Sequence, residues 1–287
     1  MKNYWRRFKK SYFFYSFRRD PVAIASFIVL VVLIATALLA PLIAPFDPYD
    51  SASIDIMDAE IPPSWMDEGN AKFILGTDIQ GRDLLSTIIH GMRLSVLIGC
   101  GAVMLQAFLG ISIGLISGYA GGKTDAILMR IADVQLSFST LMVAIIISAI
   151  FQVAFGVSQY EQMAVPLLVI IIGVAEWPQY ARTVRASVLG EKNKEYVEAA
   201  RVTGYSPKRI MVAHILPNSL SPVLVISTIQ VANAVMSEAA LSFMGLGMPV
   251  TKPSLGFPGI VLVIFVLVIN LLGDWLRDVM NPKLYKG

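Results

Sequence analysis

The chain has 287 residues, of which 56% are hydrophobic and only 15% are charged. Soluble domains carry about 25% charged residues, so this composition excludes an ordinary water-soluble protein. There is one cysteine, Cys100, and there are two well-separated histidines. This set makes no intrachain disulfide and offers no cysteine or histidine cluster for a metal. We therefore expect a membrane protein without a metal centre.

Six apolar segments predict six membrane helices. The first, residues 22–44, carries no charge and is long enough to cross a hydrocarbon core of about 30 Å. It exceeds the apolar region of about 7–15 residues found in signal peptides, and no small-residue cleavage site closes it. We therefore interpret it as a retained helix. The other segments are 94–117, 134–156, 164–177 (expected to extend on both sides), 219–245 and 257–273.

The distribution of basic residues predicts the orientation in the membrane. Of the 23 lysines and arginines, 19 lie in segments that the six helices place on one side, including residues 1–20 and 178–218. Because basic residues are retained in the cytoplasm, both termini and the 178–218 segment are predicted to be cytoplasmic. The chain then divides into a basic segment (1–20), a first membrane helix (21–45), an extracytoplasmic loop (46–93) and a core of five helices (94–287).

Two segments outside the apolar runs have a distinct character. Residues 1–20 mix aromatic with basic side chains, a combination that can bind nucleic acid. Beside a membrane helix it favours an interfacial helix on anionic lipid headgroups, so we predict membrane lipid and no nucleic acid as its partner. The loop 46–93 is acidic, and its residues 84–97 are too polar to span. We expect these to lie along the outer interface before the second helix turns inward.

The sequence shows no recognisable motif of catalytic residues. The glycine-rich run 118–122 lacks the GxxxxGK[ST] spacing that cradles phosphates, and we interpret it as a tight turn between helices. Nucleophile–base pairs, metal clusters and paired carboxylates are not apparent either. We therefore predict that the chain is not an enzyme and holds no cofactor of its own.

Three carboxylates fall in or beside the apolar segments: Asp133, Glu176 and Glu238. Such groups are rare in membranes and mark a transport path or a polar contact between helices. Arg130 is spaced to pair with Asp133 at i,i+3. For Glu238, which lies deeper, a contact between helices is favoured over a contact with substrate. A self-contained channel or secondary transporter would need such residues, and it remains an alternative.

The segment 191–218 predicts a helical hairpin. Gly204 is a natural helix stop, and Ser206 followed by Pro207 suits the start of a second short helix. Pro217 is expected to mark the entry to the next membrane helix. On a helical wheel one face is small, and Glu198 and Arg201 point the opposite way at i,i+3 spacing. The predicted face consists of Tyr196, Ala199, Ala200 and Thr203.

This hairpin resembles the EAA loop of bacterial ABC-importer permeases. The residues that carry the likeness are Glu198, Ala199, Ala200, Gly204, Ile215, Leu216 and Pro217. A second stretch resembles the second permease subunit of the dipeptide/oligopeptide/nickel importer family, through Leu75, Gly76, Thr77, Asp78, Gly81, Arg82, Asp83, Ser86, Gly91, Arg93 and Ser95. The runs EAALSFMGLG at 238–247 and NLLGDWLRD at 270–278, with Asn281-Pro282-Lys283, are similar to that subunit too.

The resemblance implies a fold and a set of partners. The fold is a type I ABC-importer permease with six membrane helices and a cytoplasmic coupling hairpin. The partners are a second homologous permease, two subunits that bind ATP and Mg, and an extracytoplasmic solute-binding protein, assembled in the bacterial inner membrane. The seven EAA-loop residues would couple ATP hydrolysis to transport. Peptides are the expected cargo, although nickel, glutathione and oligosaccharides use the same scaffold.

The sequence departs from the family pattern at four places. In the EAA loop the isoleucine and leucine before the proline are adjacent, whereas the family pattern has one residue between them. Thr87 stands where arginine is usual, and Trp275 stands where glycine is usual. In addition, Gly256 meets Phe257 directly, whereas the family carries a further outer segment of about twenty residues there. Because the flanking residues match well, we expect additional residues at this junction in the natural chain rather than a short loop.

Overall fold

The computed structural model describes residues 12–48, 50, 54–244 and 256–280, and the regular elements in these ranges are helices. In chain order they are α1 (Tyr12–Arg19), α2 (Pro21–Leu38), α3 (Ala40–Ile43), α4 (Leu84–Ala120), α5 (Gly122–Leu136), α6 (Thr140–Phe155), α7 (Val157–Glu191), α8 (Glu195–Val202), α9 (Pro207–Arg209), α10 (Leu216–Phe243) and α11 (Gly256–Met280). A 3-10 turn, Ile56–Asp58, interrupts the loop before α4, and a π-helix, Ile210–Ile215, joins α9 to α10.

Five helical stretches are long and apolar enough to cross a membrane. They are Pro21–Leu38, Leu84–Ala120, Met163–Glu191, Pro207–Phe243 and Phe257–Met280. The pair α5 and α6 passes the same test as a unit but is bent by 83°. The prediction of an all-α membrane protein is therefore confirmed, with five spans or six if the bent pair counts as one.

The second predicted span is longer than expected and is not preceded by a turn. Residues 84–93 continue without a break into the rest of α4, which is 37 residues long. The side chain of Asp83 caps this helix by accepting a 2.8 Å hydrogen bond from the amide of Ser86. An N-cap satisfies one of the free amides of the first turn. The expected turn after residues 84–97 is therefore wrong, because the helix starts ten residues earlier than its apolar part. The position of these residues at the outer interface stays a prediction.

The third predicted span, 134–156, is also different in the structure. It breaks after Leu136, and α6 begins only at Thr140. The amide and hydroxyl of Ser137 both bond to the carbonyl of Asp133, at 3.2 and 2.9 Å. Serine side chains compete with the backbone in this way and favour helix ends. The fourth span does extend on both sides of 164–177, as predicted.

The loop between α3 and α4 is folded by the 75–95 stretch that carries the family resemblance. Arg82 and Asp78 form a buried ion pair at 2.7 Å, with side-chain exposures of 8% and 2%. Asp78 also accepts a hydrogen bond from the Arg82 amide at 2.9 Å. A buried charge is tolerated only when it is paired and bonded in this way. Ser86 then ties the loop to α4, since its hydroxyl accepts from the Phe46 amide at 3.1 Å.

Helices α4 and α7 pack closely along a glycine stripe. Gly110, Gly114 and Gly118 recur every four residues along α4 and are buried. A Cβ at Gly110 would lie 2.3 Å from the Cβ of Tyr180, and one at Gly114 would lie 2.4 Å from the Ala181 carbonyl oxygen. Small residues at such spacing allow membrane helices to approach backbone to backbone. The main buried core lies along this contact.

Some predicted features fall outside the described ranges. These are the basic residues before Tyr12, residues 245–255 and the terminal residues 281–287 with Asn281-Pro282-Lys283. The junction of Gly256 with Phe257, where we expect additional residues, directly follows one of these ranges. Its expected segment therefore stays a prediction.

The glycine stripe yields a first test. We expect Gly114→Ala to lower the thermal stability of the assembled, purified protein, because the new Cβ forces α4 and α7 apart. Overpacking of this kind costs about 1–3 kcal/mol. Gly91→Ala is the matched control on the same helix, since a Cβ there meets nothing within 4 Å. Equal melting temperatures for Gly114→Ala and the native protein would show that the close approach is not needed.

Candidate functional site

The turn of the 191–218 hairpin is built as the sequence predicts. The backbone at Gly204 has φ +81°, a left-handed conformation that glycine adopts without steric cost. The Tyr205 amide donates to the Ala200 carbonyl at 3.1 Å, and the Gly204 amide donates to the Arg201 carbonyl at 3.0 Å. These two bonds form a Schellman motif that ends α8. The hydroxyl of Ser206 then caps α9 by accepting from the Arg209 amide at 3.4 Å.

The predicted small face of α8 is divided in the structure. Ala200 is buried together with Val197, and both belong to the main core. Ala199 and Thr203 are exposed instead, so the residues of the predicted face divide between the core and the open surface. The reason is that α8 docks on its own bundle through Val197, a position the small-residue pattern did not weigh. Ala199 is thereby left on the open surface.

That open surface has a defined composition. Glu198, Ala199, Arg201, Val202 and Thr203 are all exposed, and Val202 is exposed by 90%. We call the surface from Glu198 to Thr203 the α8 ridge.

The two charged residues of the α8 ridge do not pair with one another. Arg201 lies over the Tyr119 ring, 5.7 Å from its centroid, and bonds to the Lys192 carbonyl at 3.4 Å. In the described part of the chain, the carboxylate of Glu198 is not within ion-pair distance of a basic group. Glu198 is therefore available to a cation that is not among the described residues.

The base of the hairpin is fixed by a polar network. Tyr196 donates its hydroxyl to Glu191 at 2.6 Å and accepts from Asn218 at 3.2 Å. Lys194 also contacts Glu191 at 2.6 Å. Burial, together with the hydrogen bond to the Glu191 carboxylate, raises the pKa of the Tyr196 phenol. The phenol therefore remains a donor at neutral pH and links the end of α7 to the start of α10.

The hairpin's second helix does not end before the membrane helix. The π-helix Ile210–Ile215 carries α9 directly into α10, with the Leu216 amide bonding to Met211 five residues back. Proline is tolerated in the first turn of a helix, where its missing N–H would have no partner in the helix. Pro217 lies in the first turn of α10, as the sequence predicts. The π-helix before it makes the hairpin and α10 one continuous helical path.

Ile215 and Leu216 anchor this path to the bundle. Ile215 is fully buried in the main core, and Leu216 packs against the same core. Both side chains act through packing, whereas Pro217 is exposed beside them. The hairpin is thus joined rigidly to α10 on one side and to α7 on the other.

Glu238 is a buried residue of α10 and faces α4. Its two carboxylate oxygens accept hydroxyl hydrogen bonds from Ser95 at 2.6 Å and from Ser242 at 2.7 Å. Ser95 lies on α4, so the bond crosses the helix pair. This geometry favours the interpretation of Glu238 as a polar contact between helices.

The other two candidate carboxylates bind to neighbours on α6 and α7. Asp133 contacts Arg182 of α7 at 2.5 Å, with both side chains about half exposed. The expected pairing of Asp133 with Arg130 is therefore wrong, because the packing of α5 against α7 places Arg182 within reach. Glu176 accepts from the Thr140 hydroxyl and from Gln179 at 2.8 Å. Neither of these carboxylates lies near Glu238 in sequence, and they share no bond with it.

A stronger ion pair was missed by the sequence reasoning. The Asp125 carboxylate accepts hydrogen bonds from Arg185 Nε at 2.5 Å and from Arg185 Nη2 at 2.6 Å. It also accepts one from the Ser117 hydroxyl. A bidentate arginine–carboxylate pair of this kind is geometrically specific. The two partners are 60 residues apart, and no local spacing signals such a pair. It fastens α5 to α7.

A buried amide network was also missed. Gln106 and Gln230 are fully buried, and Gln230 donates to Gln106 at 3.2 Å across α4 and α10. Gln106 in turn donates to the Ile172 carbonyl at 3.4 Å, and Asn233 donates to Gln230 at 3.0 Å. Uncharged amides interrupt an apolar pattern only weakly. The available signal was two glutamines inside predicted membrane spans, where polar side chains bond between helices.

Comparison with known proteins places the chain in a family. The model of the binding-protein-dependent transport system inner membrane component matches residues 110–286, and that of the N-terminal transmembrane domain of oligopeptide transport permease C matches residues 1–63. The first match alone covers more than half of the chain. The chain therefore belongs to the inner membrane components of binding-protein-dependent transport systems, and it is a multi-pass inner membrane protein.

Several relatives are similar along almost the whole chain. The dipeptide transport system permease protein DppC of Haemophilus influenzae is 36% identical over 290 residues, covering 95% of this chain and 94% of the relative. The DppC protein of Escherichia coli is 36% identical, covering 95% and 92%. The oligopeptide transport system permease protein OppC of Bacillus subtilis is 33% identical, covering 94% and 88%. The resemblance stated from the sequence is confirmed.

The position of Glu238 yields a second test. We expect Glu238→Ala to destabilise the protein by about 1–3 kcal/mol, because the partly buried hydroxyl groups of Ser95 and Ser242 lose a charged acceptor. Glu238→Gln should keep both stability and transport, since the amide oxygen still accepts from Ser95. Thermal unfolding of both variants, with Ser95→Ala to complete a double-mutant cycle, measures the contact. Loss of transport in a stable Glu238→Gln variant would instead make Glu238 a residue of the translocation path.

Proposed function

We propose that this chain is one of two different permease subunits of an ATP-driven importer of di- and oligopeptides. The observation that carries the proposal is the α8 ridge, an exposed surface held rigidly between α7 and α10. Family membership and the relatives named for dipeptide and oligopeptide transport support the choice of cargo. Nickel, glutathione and oligosaccharides are not favoured by these relatives.

The partners follow from this role. They are a second homologous permease, two ATP-binding subunits that carry ATP and Mg, and an extracytoplasmic solute-binding protein. The basic residues near the hairpin favour a cytoplasmic position for the α8 ridge, with both termini on the same side. The ridge would then face the ATP-binding subunits, and the folded loop before α4 would face the solute-binding protein.

The contacts of the hairpin indicate how a force on the α8 ridge would be transmitted to the membrane helices. Val197 and Ala200 connect the ridge to the core, so the hairpin cannot move without its bundle. Glu191 at the end of α7 is bonded to Tyr196 of the hairpin, which is bonded in turn to Asn218 of α10. Closure of the ATP-binding subunits would therefore tilt α7 and α10 together as a rigid unit, a switch between two packings. ATP and peptide would bias this switch only through unequal affinity for the two states.

A self-contained channel or secondary transporter is less well supported. Such a protein needs carboxylates that take up and release a coupling ion within the membrane. Asp133, Glu176 and Glu238 are each bonded to side chains of this chain. The decisive measurement is peptide uptake into proteoliposomes that contain the assembled subunits. We expect uptake to require ATP and the binding protein, whereas uptake driven by an ion gradient alone would support the channel or secondary transporter.

The hairpin turn yields a third test. We expect Gly204→Val to insert and assemble normally but to lose transport and coupled ATPase activity, because a left-handed conformation costs a side chain about 1–2 kcal/mol. A Cβ at Gly204 would meet nothing within 4 Å, so the effect comes from the backbone alone. Gly204→Asn should restore much of the activity, since asparagine tolerates this conformation.

The control for this variant is Gly190→Val. Gly190 lies at the end of α7 with open space around it and without a positive φ. Both variants are compared at equal membrane levels, by peptide uptake and by the ATPase rate with binding protein. Wild-type transport by Gly204→Val would contradict the proposed docking role.

Glu198 yields a fourth test. We expect Glu198→Ala to leave the thermal stability of the isolated subunit unchanged, because its carboxylate makes no ion pair among the described residues. Coupled ATPase activity should fall severely, since losing a buried charge contact across a subunit interface costs about 2–5 kcal/mol. Glu195→Ala is the matched control, an exposed acidic residue in the first turn of the same helix. Equal activity of the two variants would exclude a special role for Glu198.

A further inference from the structure

The short helix α1 packs onto the carboxyl-terminal end of α11 through three aromatic rings. Phe13 and Phe17, one helical turn apart, meet Trp275 edge to face at centroid distances of 4.8 and 5.2 Å. Phe17 also meets Phe27 of α2 at 5.5 Å. Such T-shaped pairs contribute about 0.5–1.5 kcal/mol each beyond burial. We call this contact the aromatic clasp.

The aromatic clasp depends on Trp275. A glycine at this position would leave Phe13 and Phe17 without their partner ring. The indole nitrogen of Trp275 is buried and has no hydrogen-bond partner in the described part of the chain. The ring is therefore held by packing alone.

The opposite side of α1 is basic and open. Tyr15, Arg18 and Arg19 are exposed, and Arg19 lies 4.9 Å from the Tyr15 ring centroid. Neither arginine is within ion-pair distance of a carboxylate among the described residues. Asp20 is engaged elsewhere, because it caps α2 by accepting from the Val22 and Ala23 amides.

The position of α1 in the chain indicates which partner contacts its exposed side. Only Asp20 separates α1 from α2, whose mean hydropathy of 2.7 marks it as a span. Arg18 and Arg19 therefore lie at the depth where a membrane helix enters the bilayer. Phosphate headgroups lie at that depth, and basic residues attract anionic lipids there. Aromatic rings beside them suit the same interface.

We infer that the exposed side of α1 is a binding surface for anionic phospholipid headgroups, held against α11 by the aromatic clasp. Arg18 and Arg19 pair with lipid phosphate, while Phe13 and Phe17 remain on Trp275. The lipid thereby becomes connected to the last membrane helix, rather than to a loose terminal segment. This inference does not rest on the identity of the transported solute.

The experiment measures lipid binding to the full assembled protein. Phosphatidylglycerol and phosphatidylcholine are titrated in turn into the detergent-purified complex, and bound lipid is counted by native mass spectrometry. We expect Arg18→Gln and Arg19→Gln each to weaken phosphatidylglycerol binding about fivefold, since a basic residue near the membrane surface contributes about 1 kcal/mol. Phosphatidylcholine binding should not change. Lys123→Gln, an exposed basic residue at the start of α5, is the matched control.

A second set of variants tests the aromatic clasp. Trp275→Gly should accelerate tryptic cleavage after Arg18 and Arg19 several-fold in membranes that contain phosphatidylglycerol, because α1 is released from α11. Trp275→Phe should restore most of the protection. Unchanged cleavage in Trp275→Gly would contradict the role of the clasp.

Two outcomes would overturn the lipid assignment. One is phosphatidylglycerol binding by the double arginine variant within twofold of the native protein, or an equal loss in Lys123→Gln. The other is unchanged lipid binding with reduced co-purification of the ATP-binding subunits. That second result would make the exposed side of α1 a protein contact instead.

Discussion

Membrane helices gain little from burying apolar side chains against one another, because the lipid tails around them are equally apolar. Close packing of the helix backbones therefore provides the attraction between helices that the hydrophobic effect does not provide. In this chain that packing is the contact of α4 with α7, where Gly110, Gly114 and Gly118 leave no room for a side chain. The other helices arrange themselves around this pair, and the main core lies along it.

The polar contacts of the bundle depend on the same pair. Arg182 and Arg185 on α7 bind the two aspartates of α5, and Ser95 on α4 binds Glu238 of α10. Each of these bonds needs two helices at a fixed distance, because a hydrogen bond weakens when its donor–acceptor distance is lengthened by a few tenths of an ångström. The first two bonds hold α5 against α7, and the chain then bends by 83° into α6. In the proposed mechanism, a force on the hairpin therefore acts on α4 and α7 as one body.

The hairpin shows where local sequence reasoning succeeds and where it stops. The turn at Gly204 and the cap at Ser206 are set by backbone conformations that few residues adopt, so both were predictable. The different environments of Ala199 and Ala200 were not, because the packing of Val197 in the core sets the rotation of α8 about its axis. Pro217 lies in the first turn of α10, as predicted, whereas the π-helix before it was not apparent from the sequence.

The sequence by itself determined the helical membrane fold, the family and the local shape of the hairpin, because uncharged length, glycine and proline act over a few neighbouring residues. Only the tertiary structure decided which polar groups meet. Asp125 and Arg185 are 60 residues apart, and Gln106 and Gln230 are 124 apart, so no spacing rule connects them. The same holds for Trp275, whose ring packs against Phe13 and Phe17 at the other end of the chain. Such contacts arise when helices cross, and the crossing is fixed by packing rather than by local pattern.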